Sequence, residues 1–295
     1  MTTEKTPILH VVTDRVRIAI TGDDRAKWLN GMITCDVTPL AAAPTPRAAY
    51  GCVLNVKGKV LADVIVVADE GRLGAWVPRA SAAAVLELWN KYIIMEDCEV
   101  ALDEGHALLS VQGEGAEALV GALVDEAFTT HAAPHDELGV GGGVVLEVAR
   151  AECDTIVARL TSAGAKPIDE AQVQARRVAA ARPTYGQDLD DHNYVQEAGL
   201  QARAVSFNKG CYVGQEVVCM LEMRGKVHRR LVQLALPDGV AVTKGTEVRA
   251  GDDVVGNVTS VTSRLALAMV KTAASEPGTK LKVGDAEGEV VVAAG

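Results

Sequence analysis

Aromatic side chains make up only 3% of this 295-residue chain, although hydrophobic residues reach 48%. An interior can be packed, but it has to be built from Val, Leu, Ile and Ala. Long apolar runs are missing: the longest, Val60 to Ala68, is interrupted by Asp63. A helical span needs about 20 such residues, so no membrane crossing is expected. The stretch from Met1 to Val12 carries Lys5, Pro7 and His10 and has no apolar core of a signal peptide. Six cysteines are present, none spaced C-x-x-C, which excludes the usual zinc pair and the redox dithiol. The histidines show no ligand spacing either, so no metal is expected. A disulfide framework is not expected, and a reducing, cytoplasmic location is. No G-x-x-x-x-G-K-[ST] loop occurs. Positive charge is in deficit: 29 basic against 39 acidic residues give a net charge of −10. This excludes general binding to DNA or anionic membranes, which needs a positive field.

The length suggests two domains. Arg15 to Thr21 alternates as a strand, Gly22-Asp23-Asp24 follows as turn and cap, and Ala26 to Thr34 reads as a helix. Pro39 to Pro46 reads as a loop. Tyr50 to Val56 and Lys59 to Val67 are strands around a Lys57-Gly58 hairpin, followed by a short strand at Arg72 to Val77. Ala80 to Ile94 has helical periodicity. Cys98 to Leu102 and Ala107 to Val111 read as strands, and Ala107 to Val124 repeats the strand–Gly–helix order. There Ala26, Leu29 and Gly31 recur as Ala116, Leu119 and Gly121, an echo that points to two related α+β lobes. A strand at Val144 to Ala149 and helices at Ala151 to Ala163 and Ala171 to Ala181 follow. Pro183 to Phe207 is long and patternless, as functional loops often are. Gly214 to Met223 is helical. Beyond Val227, six short Val- and Thr-rich runs, Leu231–Leu236 to Glu289–Val292, alternate with Gly and Asp turns, which suggests a small β-barrel. The boundary falls near residue 226, giving domains 1–225 and 226–295.

The sharpest local feature is Lys209-Gly210-Cys211-Tyr212-Val213-Gly214-Gln215-Glu216. Amide N–H groups at a helix start favour a thiolate, and Lys209 adds positive charge, so Cys211 is a candidate nucleophile. The plain alternative is a buried cysteine at a tight turn. Gly113-Glu114-Gly115-Ala116-Glu117-Ala118 has the context of a dinucleotide fingerprint, but its two glutamates would face the pyrophosphate, and it is set aside. Arg224, Lys226, Arg229 and Arg230 form one local basic cluster around His228, which a solvated face would also explain.

The octet resembles the signature of YgfZ-type proteins, which have mitochondrial relatives in iron–sulfur assembly. Further stretches of the resemblance are GDDRAKWLNGMITCDV, NVKGKVLADVIV, ARPTYGQDL, QEAGL, RGKVHRRLV and VGNVTS, in the expected order. It implies an α+β chain with the fold of the glycine-cleavage aminomethyltransferase: two interleaved ferredoxin-like lobes and a C-terminal β-barrel, set as a three-lobed ring around a channel. It also implies a tetrahydrofolate derivative as ligand, and iron–sulfur client or assembly proteins, tRNA-modifying enzymes included, as partners. The family's cysteine falls on Cys211, whose chemistry stays open between transient iron ligation, thiol exchange and stabilisation of a folate-linked species. Glu197 resembles the pterin-binding glutamate of the transferase; a carboxylate can accept from a ring N–H and an amino group side by side. Asp63 stands where the transferase carries its functional aspartate, although alternation would put it simply on the solvent side of a sheet. Asn30, Tyr50 and Tyr185 are candidates for the channel wall, with core packing as their other role. Arg224 and its cluster could meet the glutamate tail of folate. A transferase-like one-carbon activity is the competing function, and a protein-interaction scaffold with a vestigial pocket is the third.

Overall fold

The computed structural model describes residues 5–123, 130–225 and 227–293. Lys226, where the second domain was placed to begin, and Val124 lie outside the described residues.

Among the described residues, two five-stranded sheets and a closed barrel form the framework on which the helices pack. The first sheet runs Arg47–Leu54, Val60–Ala68, Leu73–Pro78, Arg15–Thr21, Glu99–Asp103, each strand antiparallel to its neighbours. One face buries Val16, Ile18, Ile20, Val64 and Val66 against the helices Arg25–Asn30 and Ala82–Lys91. There Trp28 and Trp89 meet edge to face at 5.8 Å, so two of the chain's few aromatics anchor one core. The Lys57-Gly58 hairpin forms as the sequence predicts. Asn55 accepts from the amides of Lys57 and Lys59, and Gly58 takes φ +72°. A Cβ on Gly58 would fall 2.7 Å from the Val217 side chain, so the helix Gln215–Arg224 lies directly on this hairpin.

The second sheet runs Lys166–Pro167, Ile8–Val12, His106–Gln112, Gly143–Ala149, Thr130–Pro134. Its order of elements repeats the first. His106–Gln112, Gly113 and the helix Ala116–Gly121 correspond to Arg15–Thr21, Gly22 and Arg25–Asn30. Gly143–Ala149, a 3₁₀ turn and the helix Cys153–Ser162 correspond to Leu73–Pro78, a 3₁₀ turn and Ala82–Lys91. The sequence echo is thus matched by a structural one. The lobes interleave: Ile8–Val12 pairs with His106–Gln112 in the second sheet, and the chain crosses at once to Arg15–Thr21 in the first.

The remaining faces meet each other. Tyr50, Cys52, Ile65 and Trp76 of one sheet pack with Leu108, Ala133 and Val145 of the other and with Leu189, Val195, Ala198 and Tyr212 of the connecting segment. Arg17 and Trp76 both reach across to the buried Glu147, at 2.9 and 2.8 Å.

The six C-terminal runs close into a barrel, in the order Arg229–Ala235, Leu265–Lys271, Asp253–Val261, Glu247–Ala250, Lys280–Val283, Ala286–Ala293. Closure removes the open edge that six short strands would otherwise expose. The barrel docks on the helix Glu170–Ala179, where Val178 packs with Leu231, Leu267 and Met269, and Gln233 donates to the carbonyls of Val178 and Ala179.

Two readings are corrected, and two strands have no counterpart in the sequence reading. The loop at Pro39 to Pro46 begins inside a short helix, Thr38–Ala41, because proline fits the first helical turn. The helix read from Ala80 opens as a 3₁₀ turn and stops at Lys91. Ile8–Val12 and Thr130–Pro134 are strands that carry no clear period-two pattern. Among the described residues no helix is long and apolar enough to cross a membrane.

Candidate ligand-binding site

Asp63 breaks the apolar strand Val60–Ala68 for a reason other than solvent exposure: it is 2% exposed. Its Oδ2 accepts from Arg15 Nη2 at 2.7 Å and from the Tyr50 hydroxyl at 2.9 Å. Its Oδ1 is buried and has no hydrogen-bond partner among the described residues. Arg15 also donates to the Trp76 carbonyl. Burial opposes the charge of Arg15, but Asp63 more than offsets it and holds the guanidinium firmly protonated. Burial, and then the charge of Asp63, push the Tyr50 hydroxyl well above its usual value, so it remains a donor.

This carboxylate lies at a cavity between the lobes. Arg15, Tyr50, Asp63 and Ile65 line it from the first lobe, and His10, Val12, His135 and Glu137 from the second. The helix Glu170–Ala179 and the segment Arg182–Thr184 complete the wall, with Arg203. A second, more open cavity adjoins it and shares Tyr50, His135, Arg182 and Arg203, adding Cys35, Asp36, Ala48, Asp136 and Ser206. Burial and the nearby Arg203 lower the His135 imidazole to about 4, so it is neutral near pH 7. The guanidinium of Arg203 sits 4.1 Å over the Tyr50 ring.

The other candidates are distributed around this site. Cys211 is exposed and lines neither cavity. Its loop is braced along Gly31–Cys35: Ser206 N donates to the Thr34 carbonyl, Val213 N to the Gly31 carbonyl, and Thr34 Oγ1 to the Ala204 carbonyl. The loop leaves the wall of the open cavity at Ser206. The helix begins only at Gln215, so Cys211 precedes its first turn and the expected effect of the helix start does not reach the thiol directly. Of the two bracketing glycines, Gly214 is sterically required: φ is +81°, and a Cβ would fall 2.6 Å from the Asn55 carbonyl oxygen. Lys209 is engaged elsewhere than at Cys211. Its ammonium donates to the carbonyls of Ile33 and Cys35 at 2.8 and 2.6 Å, and burial lowers it to about 8.

Glu197 is buried but lines neither cavity. It accepts from Asn193 Nδ2 and the Tyr194 amide, and its Oε1 lies 3.7 Å from Arg229 Nε on the first barrel strand. Asn30 is occupied in accepting from the Val37 amide. Tyr185 is half-buried against the inter-lobe core. Arg224 is the exposed last residue of its helix. Of the sequence candidates, the inner cavity therefore brings together Asp63 and Tyr50, and Cys211 stands outside it. Arg15, His135, Arg182 and Arg203 escape sequence reading. Arg15 occupies the face of its strand that alternation assigns to water, His135 and Arg182 lie in irregular segments, and Arg203 lies in the short helix Gln201–Ala204.

An interleaved pair of α+β lobes, a docked barrel and a buried carboxylate between the lobes define a protein of the glycine-cleavage T-protein class. The GCVT N-terminal domain model matches residues 8–140, and the glycine cleavage T-protein C-terminal barrel domain matches residues 229–294. The fold superimposes on the glycine cleavage system aminomethyltransferase T of Bartonella henselae with a TM-score of 0.83, at 19% identity, covering 98% of this chain and 86% of that one.

Within that class the chain belongs to the YgfZ family. It is 30% identical over 238 residues to the tRNA-modifying protein YgfZ of Klebsiella pneumoniae, 77% of this chain and 71% of that protein. It is 26% identical over 264 residues to a mitochondrial iron–sulfur cluster assembly factor homologue of Chaetomium globosum, 82% of this chain and 59% of that protein.

Proposed function

We propose that this protein binds a tetrahydrofolate derivative in the Asp63 cavity and serves the assembly or repair of iron–sulfur enzymes, including enzymes that modify tRNA. The observation that carries the ligand reading is the unpartnered Asp63 Oδ1, an acceptor buried at the cavity. A buried acceptor without a donor costs about 1–3 kcal/mol, and more for a charged group, so a ligand N–H is the natural partner. Tetrahydrofolate supplies amine nitrogens that carry a one-carbon unit. Asp63 would accept from such a nitrogen, while Arg15 and the Tyr50 hydroxyl donate to its other oxygen and fix its rotamer. Neutral His135 offers a hydrogen bond without adding charge. The exposed Cys211, on a loop braced against Gly31–Cys35, is presented outward to a partner protein. The client role rests on the kinship with YgfZ and with the mitochondrial assembly factor.

Titration with tetrahydrofolate should quench tryptophan fluorescence and raise the melting temperature. A hundredfold excess over Kd would stabilise the protein by about 2.7 kcal/mol. Asp63→Asn, assayed well below its melting temperature, should lose this response. An unresponsive wild type would leave the interaction scaffold as the better reading. In cells lacking the protein, Cys211→Ala should fail to restore iron–sulfur enzyme activity; full restoration would make Cys211 structural. The buried Asp63 at the cavity also suits an aminomethyltransferase. Release of a one-carbon unit from an aminomethyl-carrier protein would decide for that function.

A further inference from the structure

We infer that Arg224, Arg229 and Lys271 form a docking surface for an acidic segment of a partner protein. This names a contact face for the client role proposed above and rests on that reading.

The three cations meet where the lobes join the barrel. In the ladder between Arg229–Ala235 and Leu265–Lys271, Arg229 stands directly opposite Lys271, and both side chains are exposed. Like charges in that position repel each other and destabilise the pairing. The side chain of Lys271 makes no ion pair or hydrogen bond among the described residues. Arg229 is near one carboxylate, that of the buried Glu197, at 3.7 Å. The two strand ends are fixed in place: Thr272 donates its amide to the His228 carbonyl at 3.0 Å and its hydroxyl to the Val227 carbonyl at 2.6 Å. Other exposed cations of the barrel are neutralised, Arg249 by Glu247 at 2.7 Å, Lys280 by Glu287 at 3.1 Å and Arg264 by Asp238.

Arg224 joins the pair from the lobes. The 3₁₀ turn Val195–Ala198 packs on both the helix Gln215–Arg224 and the strand Arg229–Ala235, with Gln196 donating to the Val218 carbonyl and Glu197 facing Arg229. The five-residue step from Arg224 to Arg229 spans at most about 18 Å. Arg224 makes no ion pair among the described residues, and Glu222, two positions earlier on the helix, does not face it. It also lines neither cavity between the lobes, which leaves it for an anion other than the ligand tail that the sequence assigned to it.

A protein fits this surface better than a nucleic acid. Met223, beside Arg224, is 83% exposed, and its flexible apolar chain suits a protein interface. The ring of Tyr194, next to the Glu197 carboxylate, is covered by Lys59 Nζ at 3.2 Å and is not open for a base to stack on. The chain as a whole carries a charge of −10, which repels a long polyanion. A short acidic segment feels the patch alone, within a screening length of about 8 Å.

The test uses two labelled probes, poly-L-glutamate and an RNA hairpin of equal charge, with Kd read by fluorescence anisotropy for the wild type, Arg224→Glu and Lys271→Glu. The wild type should bind poly-L-glutamate the more tightly, and each variant should bind it about tenfold more weakly. Lys271→Glu should at the same time raise the melting temperature by up to about 3 °C, because the new carboxylate faces Arg229. Damage to the fold would not combine weaker binding with higher stability. In cells lacking the protein, either variant should restore less iron–sulfur enzyme activity than the wild type. Equal restoration by both variants would overturn the docking surface and leave the client role intact. Tighter binding of the RNA hairpin would assign the patch to nucleic acid instead, and binding of neither probe would also overturn it. A wild type that restores no activity would remove the client role and the docking surface with it.

Discussion

At the scale of single residues, the centre of the molecule is organised around charge taken out of water. Asp63 and Arg15 compensate each other between two sheets, so Asp63→Asn leaves a buried guanidinium unpaired. We expect a loss of about 3–5 kcal/mol, seen as a fall of roughly 10 °C in melting temperature. His135 sets a pH dependence. Its folded value of about 4 lies below the unperturbed 6.5, so between those values the unfolded chain takes up the proton first. Its contribution to stability is complete above pH 6.5 and is lost as the pH falls toward 4. In urea titrations across that range, His135→Gln should have a shallower dependence than the wild type. Ala181 holds φ +52°, a left-handed conformation that costs a side-chain-bearing residue about 1–2 kcal/mol. Ala181→Gly should therefore be neutral or stabilising by up to about 1 kcal/mol, and a clear drop in the urea midpoint would refute the strain. Asp63 is visible in the sequence as the only charge in an apolar run, and Tyr50 becomes a candidate through resemblance. Arg203 could not be read, because a cation in a four-residue helix, Gln201–Ala204, looks the same whether it faces water or a cavity.

At the scale of elements, a buried polar knot helps to attach the barrel. Arg177 pairs with Asp188 at 2.6 Å, and Asp188 accepts from Thr259 and Ser260 at 2.6 Å each, all but Thr259 buried. Ser260 also accepts from Arg177. The VGNVTS stretch picked out in the sequence therefore fastens the barrel to the helix that lines the inner cavity. Asp188→Ala should cost about 3–5 kcal/mol by exposing Arg177 to an unpaired interior. It should also increase proteolytic cutting between helix and barrel; unchanged cutting with unchanged stability would show that the apolar contacts suffice. The six barrel strands were legible because alternation and Gly-Asp turns are local signals. Thr38–Ala41 and Thr130–Pro134 were not, because four or five residues hold too little periodicity to separate from a loop.

At the scale of the whole molecule, the residue patterns disclose the lobes, whereas their interleaving is legible only through the family resemblance. The echo between Ala26–Gly31 and Ala116–Gly121 is a local repeat, whereas the pairing of Ile8–Val12 with His106–Gln112 joins segments about a hundred residues apart. No period in either stretch encodes its partner. The crossed Arg17–Glu147 and Trp76–Glu147 contacts tie the lobes further, so they should unfold in one transition. Two resolved steps in denaturant, one for each lobe, would contradict this.

The early position of Ile8–Val12 has a consequence during synthesis. Its second neighbour, Lys166–Pro167, leaves the ribosome about 150 residues later. At about 5–20 residues per second, the nascent Ile-Leu-His-Val-Val segment waits on the order of ten to thirty seconds for that flank to arrive. A newborn chain thus displays a sticky apolar ribbon long before its groove exists, and its yield in the cell should depend on whatever shields that ribbon in the interval.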